Sequence, residues 1–442
     1  MNDSQNGPTP GFAERALAFG RDVYSGHGKI EILPKVSAAT LDEMAVAYTP
    51  GVGYVVRHLL EHPENLSIQT TKDNMVALVT DGTAVLGLGN VGPWAGMPVM
   101  EGKAVMFKAL AGIDCMPLSL NVKSPEQFCD VVAALEPTFG GINMEDVAAP
   151  HCFPILRDLE QRLSVPVIHD DQYGTATVAM AGLINAVKLT GRHLSDIRVV
   201  VNGVGAAGGA TVNFLEALGV GDIIAVDRSG ILQRGFDYPM AHWREIAART
   251  NKDQRRGDLA AALKGADVFI GMSIGGLVSE TMVTTMAKHP IVFALANPEP
   301  EISPDRALAA GAAIAASGRF DFPNHCNNVL AFPGLMRGAL DTKAKRVTVS
   351  MCLAASRALA SLAGDSIDEI LPSPLDPAVH ASVAEATAMQ VVAEGLARRT
   401  VTEGQVKQHT LALIASVAER QANLGALTGL RTTSRVVFRD EN

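Results

Sequence analysis

The stretch that most narrows the possible folds runs from Asp196 to Asp227. Asp196-Ile-Arg-Val-Val-Val-Asn-Gly203-Val-Gly205-Ala-Ala-Gly208 places a Val-rich strand before a GxGxxG turn. A proline-free run, Ala206 to Leu218, opens as a helix inside the glycines. Asp222-Ile-Ile-Ala-Val-Asp227 then reads as a second strand, with its acid 19 residues beyond Gly208. In such a βαβ unit the helix amides face a pyrophosphate, and the acid accepts hydrogen bonds from an adenosine ribose. Gly203, Val204, Gly205, Ala206, Ala207 and Gly208 are therefore the expected dinucleotide cradle, with Asp227 on the ribose. Arg228 follows at once, and a guanidinium there could hold the 2′-phosphate of NADP, whereas Asp227 suits the free hydroxyls of NAD. The two pull in opposite directions, and the acid places NAD slightly ahead.

The alternation continues. Asp258 to Lys264 reads as a short helix, Asp267 to Ser273 as a strand, Ser279 to Lys288 as a capped helix and Ile291 to Ala296 as a strand. Apolar strands alternating with helices predict an α/β fold with a doubly wound parallel sheet of the Rossmann type. The 442 residues exceed one typical domain. The expected division is an N-terminal substrate and metal domain over 1–164, the dinucleotide domain over 165–340 and a helical C-terminal segment over 341–442. Residues 1–12 read as disordered, 13–25 as a helix, and the C-terminus as a polar end with Arg431 and Arg435.

Several function classes drop out on composition. A net charge of -9 without a dense Lys/Arg block argues against a nucleic-acid partner. Five cysteines without CxxC spacing fit buried thiols in a reducing compartment. The polar N-terminus is no signal peptide and no run approaches a membrane span, so a cytoplasmic protein is expected.

Chemistry concentrates between Gly141 and Thr175, where Glu145-Asp146 and Asp170-Asp171 form two acid pairs. The second pair closes the strand-like run Val165 to His169, at the end where α/β enzymes bind ligands. Converging carboxylates make a hard-cation site suited to Mg²⁺ or Mn²⁺; two solvated acid pairs are the plainer reading, and from these residues alone both stand. Gly87, Gly89 and Gly92 also spell GxGxxG, but Pro93-Trp-Ala-Gly-Met-Pro98 follows and is not expected to continue as a helix. That match reads as a tight loop lining a site, not as the cradle. Lys103 or Lys108 could serve as a base if desolvated near a metal, although most lysines are simply solvated. Tyr48, before the Thr49-Pro-Gly51 turn, is either a proton donor or a packing tyrosine at a helix start, and the residues alone favour packing.

Together these pieces resemble the malic enzymes, from about Lys29 to the 430s. The resemblance rests on Tyr48-Thr-Pro-Gly-Val, Asp81-Gly-Thr-Ala-Val-Leu-Gly-Leu-Gly-Asn, Glu101-Gly-Lys, Phe139-Gly-Gly-Ile-Asn-Met-Glu-Asp, His169-Asp-Asp-Gln, Ala296-Asn-Pro-Glu-Pro-Glu and Asn327-Asn-Val. The length is similar to that of the compact bacterial form, without a phosphotransacetylase-like domain. The resemblance implies a malic-enzyme catalytic domain before the Rossmann domain, and oxidative decarboxylation of malate to pyruvate and CO₂ with NAD or NADP and Mg²⁺ or Mn²⁺. It implies Tyr48 as general acid, Lys103 as general base and Asp170 as a supporting carboxylate. Glu145, Asp146 and Asp171 would hold the metal, and Asn297 and Asn328 the substrate and the nicotinamide end. A homodimer is expected, since family members oligomerise. Two positions depart from the pattern: Tyr173 stands where a histidine is usual, and Ala84 where large eukaryotic forms carry a malate-binding arginine. A malolactic enzyme, another β-decarboxylating dehydrogenase and a non-catalytic nucleotide sensor are the rival readings.

Overall fold

The computed structural model describes residues 28–428, together with Gly11 and Leu17. Apart from those two positions, the disorder expected over 1–12, the helix expected over 13–25 and the end carrying Arg431 and Arg435 lie outside the described residues. The chain begins as an arm: helix α1 (Leu41–Ala47), closed by a Thr40/Glu43 capping box, and helix α2 (Gly51–Glu61). Neither helix buries a single residue.

Two parallel sheets follow. The first has the order β2-β1-β3-β4, built from β1 (Met75–Thr80), β2 (Asp114–Ser119), β3 (Gly141–Met144) and β4 (Val167–His169). Val76, Ala77, Leu78 and Val79 are fully buried because β1 is covered on both faces, which is why it reads as an unbroken apolar run. Pro117 is tolerated in β2 because that strand lies at the sheet edge. Helix α3 (Gly92–Ala111) joins β1 to β2, and α4 (Pro125–Ala134) joins β2 to β3.

Here the structure corrects the sequence reading, because α3 runs through both prolines. Pro93 falls in the first turn, where its missing N–H is not needed, and Pro98 removes only one hydrogen bond from a 20-residue helix. Met100, Lys103, Ala104, Phe107 and Ala111 form its buried face. Around the expected boundary at 165 the chain continues the first sheet. After α5 (Cys152–Arg162), strand β4 hydrogen-bonds β3 and so belongs to the first sheet, and α6 (Asp170–Leu189) begins directly at its end.

The second sheet has the order β10-β9-β8-β5-β6-β7. Its strands are β5 (Arg198–Asn202), β6 (Asp222–Asp227), β7 (Gly230–Ile231), β8 (Val268–Gly271), β9 (Ile291–Ala294) and β10 (Ile314–Ser317), and only β7 runs antiparallel to its neighbour. Helix α7 (Ala206–Leu218) connects β5 to β6, and α8 (Ala241–Arg249) lies beyond β7. The order with helices between strands is the doubly wound Rossmann arrangement expected from the sequence.

The C-terminal region is helical: α9 (Phe332–Asp341), α10 (Val349–Leu362), α11 (Pro377–Ala393) and α12 (Gln405–Thr428). Phe332-Pro333-Gly334 forms the first turn of α9, another start at which proline is tolerated. Every residue of α9 is buried, and Phe332 packs edge-on against Phe107 of α3 at 4.7 Å. Leu413 of α12 covers Gly112 at the end of α3, and Arg337 reaches both Asn74 and Asp341. The C-terminal helices thus lock onto the first sheet and hold α3 in place.

Candidate active site

The carboxyl ends of β3 and β4 and the middle of α3 meet at one buried point. Lys103, 8% exposed, projects from α3, and its ammonium donates to Glu145 just past β3 and to Asp170, the first residue of α6. The Phe332 ring lies under that ammonium, with its centroid 4.5 Å away. Gly174 makes room for the Asp170 carboxylate, since a Cβ there would fall on Asp170 Oδ1. Asn328 Nδ2 donates to Asp170 Oδ2 at 2.6 Å, and Asn143 Nδ2 to Glu145 Oε2 at 3.1 Å.

Asp146 takes a left-handed backbone, φ +54°, strain that an aspartate tolerates better than most residues. That turn points its N–H at Asp171 Oδ2 (2.9 Å), while its carbonyl accepts from Ala84 N–H of the first glycine-rich loop (2.9 Å). His169 Nε2 lies 3.0 Å from Asp171 Oδ2, and Gln172 Nε2 lies 2.8 Å from His169 Nδ1. Glu145, Asp146 and Asp171 each offer a carboxylate oxygen, all within 4.8 Å of one another.

Four carboxylates therefore surround one ammonium. Burial and the neighbouring acids push Glu145 well above the usual carboxylate range, and burial with the Asp171 charge lifts Asp146 to about 7. Burial also raises Asp170 against the pull of Lys103. Asp171 goes the other way: burial would raise it, but the His169 contact outweighs that and holds it low. Burial depresses Lys103, yet Asp170, Glu145 and Asp171 more than offset this and leave it raised. Asp146 Oδ2 and Asp170 Oδ1 are buried with no hydrogen-bond partner. Orphaned anionic oxygens in an excess of negative charge are the donor set of a hard divalent cation.

The second glycine turn lies at the carboxyl end of β5. Gly203 has φ +91°, and a Cβ on Gly208 would fall on its carbonyl, so helix and turn approach as closely as glycine permits. A Cβ on Gly205 would meet nothing within 4 Å, which leaves space beside Val204, Ala206 and Ala207 at the start of α7. Asp227 Oδ2 accepts from Val204 N–H at 2.8 Å, and the Arg228 guanidinium lies 5.7 Å from the centre of the Trp243 ring.

Not every expected residue joins the cluster. Tyr48 is 74% exposed on the arm, and its hydroxyl makes no hydrogen bond among the described residues. Asn297 is exposed, with its carbonyl against Gly87 of the first glycine loop. Lys108 is tied to Asp114 at 2.6 Å, a structural pair. Tyr173 is half-buried and donates to Glu160 at 3.2 Å. Sequence reasoning gave no role to Asn143, His169 or Glu301. The first was visible in principle, because positions 143 and 145 share a strand face. Glu301 is buried and accepts from Ser273 N–H (2.9 Å) and Ala296 N–H (3.1 Å), tying the ends of β8 and β9 together.

Comparison with known proteins agrees with this fold. Residues 27–160 match the malic enzyme N-terminal domain and residues 172–396 the malic enzyme NAD binding domain. The chain is 47% identical to the bifunctional malic/malolactic enzyme of Bacillus subtilis, over 87% of this chain and 94% of the relative. It is 41% identical to the NADP-dependent malic enzyme of Escherichia coli, over 86% of this chain and 52% of that longer relative. The crystal structure of malic enzyme from Pyrococcus horikoshii superposes with a TM-score of 0.89 at 43% identity, covering 94% of this chain and 98% of that one. Entamoeba histolytica malic enzyme gives 0.90 at 35% identity, covering 96% and 90%. With both domains matched in order, and the lysine–carboxylate cluster at the mouth of the first, the chain belongs to the malic enzyme family.

Proposed function

We propose that the chain oxidatively decarboxylates (S)-malate to pyruvate and CO₂, reducing NAD or NADP with the help of Mg²⁺ or Mn²⁺. One observation carries this: a buried ammonium held between Glu145 and Asp170, beside carboxylate oxygens that lack partners. Glu145, Asp146 and Asp171 would hold the cation, and the Gly203–Gly208 turn with Asp227 the dinucleotide. Bound there, the cation supplies Lewis acidity and the dinucleotide a two-electron acceptor.

Lys103 takes the proton from the C2 hydroxyl. To do so it must be neutral, and the carboxylates around it hold it protonated. A cation held by Glu145, Asp146 and Asp171 would weaken that field and bring the lysine toward the range where a base works. Asp170 and Asn328 hold the ammonium on line, Asn297 and Asn328 would hold the substrate and the nicotinamide end, and Tyr48, exposed on the arm in this structure, would return a proton to C3 after CO₂ leaves. The cytoplasm is its proposed place of work, where the five free cysteines stay reduced, and a homodimer its proposed assembly.

The test is near-ultraviolet absorbance of reduced nicotinamide with malate and Mn²⁺, with pyruvate assayed in the same samples. Lys103→Met should lower kcat by about 10²–10⁴-fold; a folded variant within a few-fold of wild type would remove the lysine from the chemistry. A second product deserves assay, because the Bacillus subtilis relative is described as both malic and malolactic. Lactate without net reduced cofactor would identify the malolactic reaction.

A further inference from the structure

Two carboxylates among the described residues are completely buried, Asp170 and Glu301. Asp170 faces the Lys103 ammonium, whereas Glu301 forms no ion pair among the described residues. A buried carboxylate without a counter-charge persists only where hydrogen-bond donors replace the water it lost. For Glu301 those donors come from two loops. Ser273 gives its N–H (2.9 Å) and its hydroxyl (3.4 Å) to Oε1, and Ala296 gives its N–H to Oε2 (3.1 Å). Gly271 leaves the room, since a Cβ there would come within 2.4 Å of the carboxyl carbon.

The two loops have different neighbours. The sheet order turns back between β8 and β5, and the crevice outside the carboxyl ends of such a pair is where a dinucleotide lies. The β8 loop forms one wall of that crevice. A Cβ on Gly203 would meet the Met272 carbonyl at 2.7 Å, and Asn202 Nδ2 donates to Ser273 Oγ at 2.8 Å. The β9 loop leads away from the crevice. Ala296 precedes Asn297, whose carbonyl lies against Gly87 and whose side-chain amide lies against Gly318. Main-chain bonds from Gly276 to the Pro300 carbonyl (3.1 Å) and from Val278 to the Glu301 carbonyl (3.0 Å) anchor Glu301 on the β8 loop. Its side chain carries that anchorage back to Ala296, at the base of Asn297.

We infer that Glu301 is a positioning residue that couples the dinucleotide crevice to Asn297, so that a bound dinucleotide tightens the hold on the 2-hydroxy dicarboxylate substrate. The substrate half rests on the malate reading, and the coupling between the loops does not. A dinucleotide in the crevice orders the β8 loop, and through the Glu301 carboxylate it orders the β9 loop as well. The second ligand then has less freedom left to remove, which is positive coupling, and it is reciprocal. The link needs two acceptors. A glutamine offers one and turns its NH₂ toward the other donor, so it releases one loop while keeping the shape.

Two measurements on the full chain separate the halves. In hydrogen exchange read by mass spectrometry, reduced dinucleotide should slow exchange over 272–278 and over 295–299 in the wild type. In Glu301→Gln only the first segment should slow. Slowing of both segments in the variant, or of 272–278 alone in the wild type, overturns the coupling whether or not malate turns over. The substrate half is read by calorimetry with Mn²⁺ and reduced dinucleotide, which accepts no hydride from malate. Adding the dinucleotide should lower the malate Kd about tenfold in the wild type and less than about twofold in Glu301→Gln. A variant that melts earlier yet keeps the wild-type coupling shows a structural role alone and overturns the inference. Ser273→Ala keeps the amide and loses the hydroxyl tie to Asn202, so its coupling should fall to about threefold. It carries both readouts if Glu301→Gln does not fold, and full wild-type coupling there overturns the inference. Malate that binds the wild type neither with nor without dinucleotide would sink the proposed reaction and the role of Asn297, and hydrogen exchange would still decide the coupling between the loops.

Discussion

The two glycine-rich turns are spelled alike and built differently. After β1, Gly87, Gly89 and Gly92 fit GxGxxG, and after β5 so do Gly203, Gly205 and Gly208. In the first, several amides are already used: Ala84 donates to Asp146, Val85 to Gly89, and Val91 and Gly92 to Gly82. Its helix opens only at Gly92, the last of the glycines. In the second, α7 opens at Ala206, inside the glycines, and the space beside Gly205 is free. Glycine spacing reports backbone freedom, whereas anion affinity needs helix amides with nothing else to bond. The first loop spends its amides on itself and on an acid of the cluster.

The contrast can be broken from either side. Gly208→Val would drive a side chain into the Gly203 carbonyl. Calorimetry with reduced dinucleotide should then show affinity down by about a hundredfold, with Mn²⁺ binding within about twofold of wild type. Dinucleotide affinity unchanged in that variant would make the second turn as ordinary as the first. Gly87→Ala probes the other turn, where the new Cβ would meet the Asn297 carbonyl at 2.5 Å and Pro298 Cδ at 2.6 Å. Pushing the two domains apart there should lower kcat about tenfold through misplacement and leave dinucleotide affinity unaltered. Equal losses in both quantities would mean that the first loop also carries the cofactor.

What the sequence made legible was local. Ala206 to Leu218 reads as a helix and is one, and Asp222 to Asp227 is a strand, because glycines, a proline-free run and an apolar run settle these within a few residues. What it hid was set by distant contacts. Pro98 would ordinarily weigh against a helix interior, but the buried face of α3 and the cover from α9 and α12 outweigh one lost hydrogen bond. Strand β3 was read only as the front of an acidic stretch, since four residues carry no visible periodicity. The acids Glu145, Asp146, Asp170 and Asp171 could be picked out as chemistry-bearing, but Asn143 and His169, which orient them, look like any polar residues in a strand. Tyr48 shows the opposite failing: its motif marks the residue, yet the fold leaves it exposed on the arm and outside the buried cluster.

The finest difference within the second turn lies between Asp227 and Arg228. Both Asp227 oxygens already accept backbone amides, from Val204 and from Arg228 itself, each at 2.8 Å. The carboxylate is thus part of the turn and keeps lone pairs for ribose hydroxyls. Among the described residues the Arg228 guanidinium pairs with no carboxylate and lies over Trp243, whose indole donates to the Val204 carbonyl at 3.3 Å. An exposed cation beside the ribose position adds modest affinity for a 2′-phosphate, since solvent screens it. Arg228→Ala should therefore weaken 2′,5′-ADP by about three- to fivefold and leave 5′-ADP unchanged, read by competition against reduced dinucleotide. Asp227→Ser should weaken both, because it also releases Val204 and loosens the turn itself. Were Arg228→Ala to weaken both nucleotides alike, the guanidinium would be acting through Trp243 on the shape of the turn, and the choice between NAD and NADP would rest on Asp227 alone.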